Sequence, residues 1–150
     1  MSLAIAILAA GSGRRFGGGK VDAIVAGKPL GQWALDAALS IPHDRLAVVV
    51  GEPAPQFARG CDRLVNQRAA EGLGTSAATA ARWAQGSDAL LIMLADMPLI
   101  SPATLRKLAA ALTEIEIGVG DLGIDTGEPK SDPWLFWWMP DVDYSDRKRS

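Results

Sequence analysis

The segment LAAGSGRRFGGGK, residues 8–20, concentrates the chemistry of this chain: Arg14, Arg15 and Lys20 stand among Gly11, Gly13, Gly17, Gly18 and Gly19, with no acid between them. Glycines let successive backbone amides turn to one side, and cationic side chains neutralise phosphate, so the composition suits a polyphosphate. A solvated surface loop has the same composition. Position separates the two readings, because the segment directly follows an apolar run, and ligands gather where such strands end in parallel sheets.

Two further groups extend the pattern. EGLGTS, residues 71–76, precedes an alanine-rich stretch, so amides of Gly74, Thr75 and Ser76 are expected near the positive end of a helix, where they face an anion or serve as an ordinary cap. Asp96 stands in LADMP just after the run Ala89 to Leu94, which places a hard carboxylate oxygen at the strand's carboxyl end, suited to Mg²⁺ and equally to capping a turn before proline. His43 and Cys61 lie in turn-like surroundings and read as structural.

The elements that must position these groups alternate. Leu3–Leu8, Leu46–Val50 and Ala89–Leu94 are short continuous apolar runs, as strands covered on both faces require, and a shorter strand is expected near Arg63–Val65. Pro29 opens a helix with Leu30, Trp33, Ala34, Ala37 and Ala38 on one stripe, ending near Ser40. Thr75 or Ser76 caps a second helix to about Ala84, and Ser101 and Pro102 open a third with Leu105, Leu108, Ala109 and Leu112 inward, before a strand at Ile115, Ile117 and Val119. Strands separated by helices imply right-handed crossovers and a three-layer α/β/α domain on a mostly parallel sheet.

Composition bounds the rest. The 150 residues are 49% apolar and 21% charged, which fits one globular domain. A net charge of −2 argues against a nucleic-acid partner, and the apolar start is too short to span a membrane. One cysteine and one histidine exclude an internal disulfide and a thiolate–imidazole metal cage, and fit the cytoplasm. Residues 1–120 are read as the nucleotide-binding domain. Residues 121–150 hold three prolines, seven acids and the run WLFWW, and read as a divergent tail foreign to the fold, expected to cover the sheet or to form a homodimer contact.

Two standard phosphate loops fail here. A Walker loop needs glycine at Arg14 and Ser or Thr at Val21, and a dinucleotide fingerprint needs a small residue at Phe16. The pattern LAAG-x-G-x-R-[MF]-G-x-x-K does fit, through Leu8, Ala9, Ala10, Gly11, Gly13, Arg15, Phe16, Gly17 and Lys20, and is followed by GKPL at 27–30, NQRAAEGLGTS at 66–76 and LADMP at 94–98. With these four motifs in order the chain resembles the molybdenum cofactor cytidylyl- and guanylyltransferases over roughly its first 112 residues.

That resemblance implies the Rossmann-like fold of the nucleotide-diphospho-sugar transferases with an incomplete C-terminal part. It also implies a Mg²⁺-dependent transfer of a nucleotide from a nucleoside triphosphate to a phosphate acceptor such as molybdopterin, releasing pyrophosphate. Leu8, Ala9, Ala10, Gly11, Gly13, Asn66, Gly74 and Ser76 would hold the nucleotide, Arg15 and Lys20 the phosphates, and Asp96 the metal. LAAG, where the guanylyl enzymes more often show LAGG, favours CTP over GTP. The family's acceptor loop and second metal-binding aspartate have no match here, since Asp121 follows the last expected strand directly and is not assigned as a ligand. A nucleotide-binding module with impaired catalysis and a sugar-phosphate nucleotidyltransferase are the alternatives.

Overall fold

A computed structural model describes residues 2–11 and 19–111 and, for the backbone alone, 134–137. Seven strands and three helices are assigned there: β1 (Leu3–Ala9), β2 (Ile24–Val25), β3 (Lys28–Pro29), α1 (Leu30–Leu39), β4 (Arg45–Val50), β5 (Asp62–Val65), α2 (Leu73–Trp83), β6 (Ala89–Leu94), α3 (Pro102–Ala111) and β7 (Trp134–Trp137). Five strands form one parallel sheet in the order β5-β4-β1-β6-β7, and β2 and β3 make a small antiparallel pair.

The apolar runs are the middle of that sheet. Alternation along β1 sends Leu3, Ile5, Ile7 and Ala9 to a face shared with Ala34, Leu35 and Ala38 of α1, Phe57 and Leu105 of α3. Ala4, Ala6 and Leu8 meet Ala77, Ala80, Ala81 and Ala84 around α2 on the other face. Large side chains thus fill one side, and alanine against alanine lets α2 lie close on the other. Ile5 and Ile7 have no exposed surface, and truncating either to alanine would cost about 2–5 kcal/mol. This is the expected three-layer α/β/α arrangement.

Several boundaries differ from expectation. Pro29 is the residue before α1, with ψ 142°, and pairs with Ile24 as part of β3. The second helix begins at Leu73, with Gly72 at φ 127° as its cap, so neither Thr75 nor Ser76 caps it; both lie inside the first turns. The third helix opens as expected, the Ser101 Oγ accepting the Thr104 N–H at 3.1 Å. From the tail, the backbone of Trp134–Trp137 extends the sheet in register with Ala89–Ile92 of β6. Leu112, the expected strand at 115–119 and the rest of 121–150 lie outside the described residues.

Candidate active site

At the carboxyl edge of the sheet β1 runs out at Ala9, and Ala10 and Gly11 follow it. Gly51, at the end of β4, lies so near Ala10 that an added Cβ would sit 3.3 Å from the Ala10 carbonyl oxygen. On the other side the Ala95 N–H donates to the Leu8 carbonyl at 3.0 Å, carrying the β1–β6 pairing one step past β6. Asp96 therefore leaves the sheet beside the end of β1.

Gly19, whose φ of 66° is a left-handed conformation that suits glycine, leads into a single 3₁₀ turn over Lys20–Asp22. Lys20 Nζ lies 3.0 Å from Asp96 Oδ2, with the two side chains 44% and 41% exposed. At such exposure an ion pair contributes only about 0–1 kcal/mol, so its partners are easily taken up by a ligand.

Two open cavities share this edge. One of about 280 Å³ is bounded by Leu8, Ala10, Gly11, Lys20, Ser76 and Asp96, with Gly72, Leu73 and Leu94 beyond. The other, of about 690 Å³, shares Ala9, Ala10, Gly11 and Lys20 and continues past Glu52, Gln56 and Asn66. Lys20 and the end of β1 thus stand between two compartments, one roomy, the other tighter with leucines on its wall.

The expected site residues divide as follows. Leu8, Ala9, Ala10, Gly11, Lys20, Ser76 and Asp96 come together around the smaller cavity. Asn66 is buried, and both its amide hydrogens are spent inside the protein, on Thr75 Oγ1 and Ser76 Oγ at 2.9 Å each, while its Oδ1 accepts the Arg68 N–H at 3.0 Å. It ties the 66–76 loop together and leaves a ligand only the second lone pair of Oδ1. Gly74 lines neither cavity and has open space around it; the glycine with a demanding backbone is Gly72, at φ 127°. Gly13 and Arg15, like Arg14, lie outside the described residues.

Cys61 and His43 stay away from this edge. Burial, and next the neighbouring Asp62, push the Cys61 thiol above its ordinary range, the opposite of an activated thiolate. His43 Nδ1 is occupied by the Ile41 carbonyl at 2.8 Å. Missed by sequence reading were Gly72 and Asp22; a glycine directly before an alanine-rich helix was the only local signal for the first.

Residues 5–122 match the family described as "MobA-like NTP transferase domain". The chain belongs to that family. The assignment is broader than the molybdenum cofactor enzymes to which the motifs were compared. This MobA-like domain is 35% identical over 130 residues to the bifunctional protein GlmU of Alcanivorax borkumensis, a match covering 83% of this chain and 29% of that one. Among solved structures, Rv0371c of Mycobacterium tuberculosis is 25% identical with a TM-score of 0.61, covering 77% of this chain and 63% of that one. A nucleotidyl transferase from Methanothermobacter is 26% identical with a TM-score of 0.63, covering 73% and 57%. The chain thus spans less than a third of the GlmU relative and under two thirds of either structure. No helix among the described residues is long and apolar enough to cross a membrane.

Proposed function

We propose that this chain transfers a nucleotide from a nucleoside triphosphate to a phosphate-bearing small molecule, releasing pyrophosphate, in the cytoplasm. The observation that carries the reading is the meeting of Lys20 and Asp96, 76 positions apart, beside the end of β1 where Leu8, Ala10 and Gly11 wall the same cavity. Membership of the MobA-like NTP transferase family supports it.

In the proposed reaction an oxygen of the acceptor phosphate forms a bond to the α-phosphorus while the bond from that phosphorus to the bridging oxygen breaks, its electron pair leaving with pyrophosphate. A phosphate monoester is already anionic near neutral pH, so no general base is demanded of the protein. Lys20, released from Asp96, neutralises charge on the leaving phosphates, together with Arg15 from the glycine loop. Gly11 and Gly13 bring the backbone close to the triphosphate, and Ser76, with Asn66 holding its loop, borders the nucleoside.

A divalent cation, Mg²⁺ by the hardness of its ligand, fits the residues present. Asp96 offers Oδ1, which has no hydrogen-bond partner among the described residues, and a single carboxylate suffices for an ion that keeps waters and shares phosphate oxygens. When bound, the ion withdraws charge from the phosphates in the transition state.

For the acceptor, the GlmU relatives move the reading towards a sugar phosphate and away from molybdopterin. The LAAG sequence keeps CTP ahead of GTP. Residues 1–120 carry the nucleotide site in this proposal, and 121–150 are an appended tail and a candidate homodimer contact. Pyrophosphate release from a panel of CTP, GTP and UTP with Mg²⁺ and either sugar 1-phosphates or molybdopterin tests all of this. Release with one acceptor identifies the reaction; nucleotide binding without release with any acceptor assigns the chain to the impaired binding module instead.

A further inference from the structure

Asp22 is two residues past Lys20 and at the end of the same 3₁₀ turn. Both oxygens of its carboxylate are committed to a distant stretch of backbone: Oδ2 accepts the Gln56 N–H at 2.8 Å and Oδ1 the Phe57 N–H at 3.1 Å. Those amides open a second 3₁₀ turn, Gln56–Ala58, which is itself anchored in the core by the buried Phe57. Phe57 lies flat against α1, where Gly31 leaves no room for a side chain: a Cβ there would come within 2.6 Å of the ring. Val21 packs against the same core from the Lys20 side.

The turn bearing Lys20 is therefore fastened at two points to the rigid part of the molecule. Asp22 and Gln56 also line the larger cavity, so the fastening fixes one wall of it. A carboxylate is the right group for this task, because it can accept from two adjacent amides at once, and charge makes each bond stronger than a neutral one.

We propose that Asp22 is a positioning residue for nucleotide binding: by clamping the Lys20 turn to the Gln56–Phe57 amides it holds the Lys20 ammonium where the phosphates of the substrate will lie. The proposal rests on the nucleotidyltransferase reading above. It assigns Asp22 neither to the metal nor to the substrate: its part is to hold the turn through the two amides.

Titration calorimetry with Mg·CTP and Mg·GTP as probes tests it on wild type, Asp22→Asn, Lys20→Met and the double variant, with thermal midpoints alongside. Asn offers one acceptor and turns an amide donor toward a backbone N–H, so Asp22→Asn is expected to weaken binding about tenfold. Lys20→Met is expected to weaken it about a hundredfold, and the double variant no more than Lys20→Met alone, because residues acting through one group are not additive. Losses that multiply in the double variant, or wild-type affinity in Asp22→Asn, overturn the proposal.

Should Asp22→Asn fail to fold, the clamp can be opened from its other side. Gln56→Pro deletes one donated N–H at the first position of a 3₁₀ turn, where proline is tolerated, and Gln56→Ala controls for the lost side chain. Weaker binding in Gln56→Pro than in Gln56→Ala supports the clamp, and equal binding overturns it. If wild type binds none of Mg·CTP, Mg·GTP and Mg·UTP, the nucleotidyltransferase reading itself falls and this inference with it, an outcome distinct from failure of the clamp alone.

Discussion

At the amino edge of the sheet, Asp88 accepts the Ser2 N–H at 2.6 Å and Asp44 accepts the Leu3 N–H at 2.7 Å. At the carboxyl edge, Asp96 holds, among the described residues, the end of the Lys20 side chain. The first two carboxylates are bonded to backbone that the sheet fixes in place, and hydrogen bonds from neighbouring amides to carbonyls close the cluster, with Asp88 N–H and Ala89 N–H both donating to the Ser2 carbonyl at 3.1 Å. The third is bonded to a half-exposed ammonium on a flexible stem. Carboxylates that secure main chain are structural, whereas one paired with a displaceable cation keeps its chemistry available. The same contrast separates Asp22, spent on two amides, from Asp96.

The comparison breaks most sharply if Asp96→Asn retains activity. The expected result is a loss of pyrophosphate release on the order of 10³-fold, because charge withdrawal at the phosphates goes with the metal ligand, while the melting temperature stays within a degree or two of wild type. Gly31→Ala should lower stability and binding together. Forcing the Phe57 ring aside overpacks the core and costs about 1–3 kcal/mol in a denaturant titration, with nucleotide affinity falling as the Gln56–Phe57 turn moves.

A smaller effect sharpens the amino-edge side. Asp44→Ala removes the acceptor for the Leu3 N–H and should lower the melting temperature by about 2–5 °C with unchanged nucleotide affinity. The smallest effect is in pH. The hydrogen bond from the Ser2 backbone, and then that from its side chain, hold the Asp88 carboxyl below its ordinary value. A depressed carboxyl stabilises the fold above its unfolded-state pKa, near 3.9, and that contribution is lost as pH falls through the folded value. Wild type should thus lose stability on acidification below about pH 4 more steeply than Asp88→Asn, as read from melting temperatures at successive pH values.

Much of the frame was legible because it is written locally. Continuous apolar runs marked β1, β4 and β6, and Ser101 before Pro102 marked the start of α3 through the hydroxyl that caps it. The start of α2 was misplaced because its cap is a backbone conformation at Gly72 and no side chain announces it. The β2–β3 pair escaped notice because each strand has two residues and Ile24 is 68% exposed, so there is no burial pattern to read. Lys20 and Asp96 were placed at one edge by reasoning from strand ends. Asp22 was invisible for a different reason: its bonds span 34 and 35 positions and no periodicity encodes them.

The most direct test of the account is whether Asp96 is the group through which a metal strengthens nucleotide binding. Titration calorimetry of CTP with wild type and Asp96→Asn, each with Mg²⁺ and with EDTA, measures this. The account predicts that removing the metal weakens binding to wild type by about tenfold or more and leaves Asp96→Asn nearly unchanged. The same metal dependence in both proteins would contradict it.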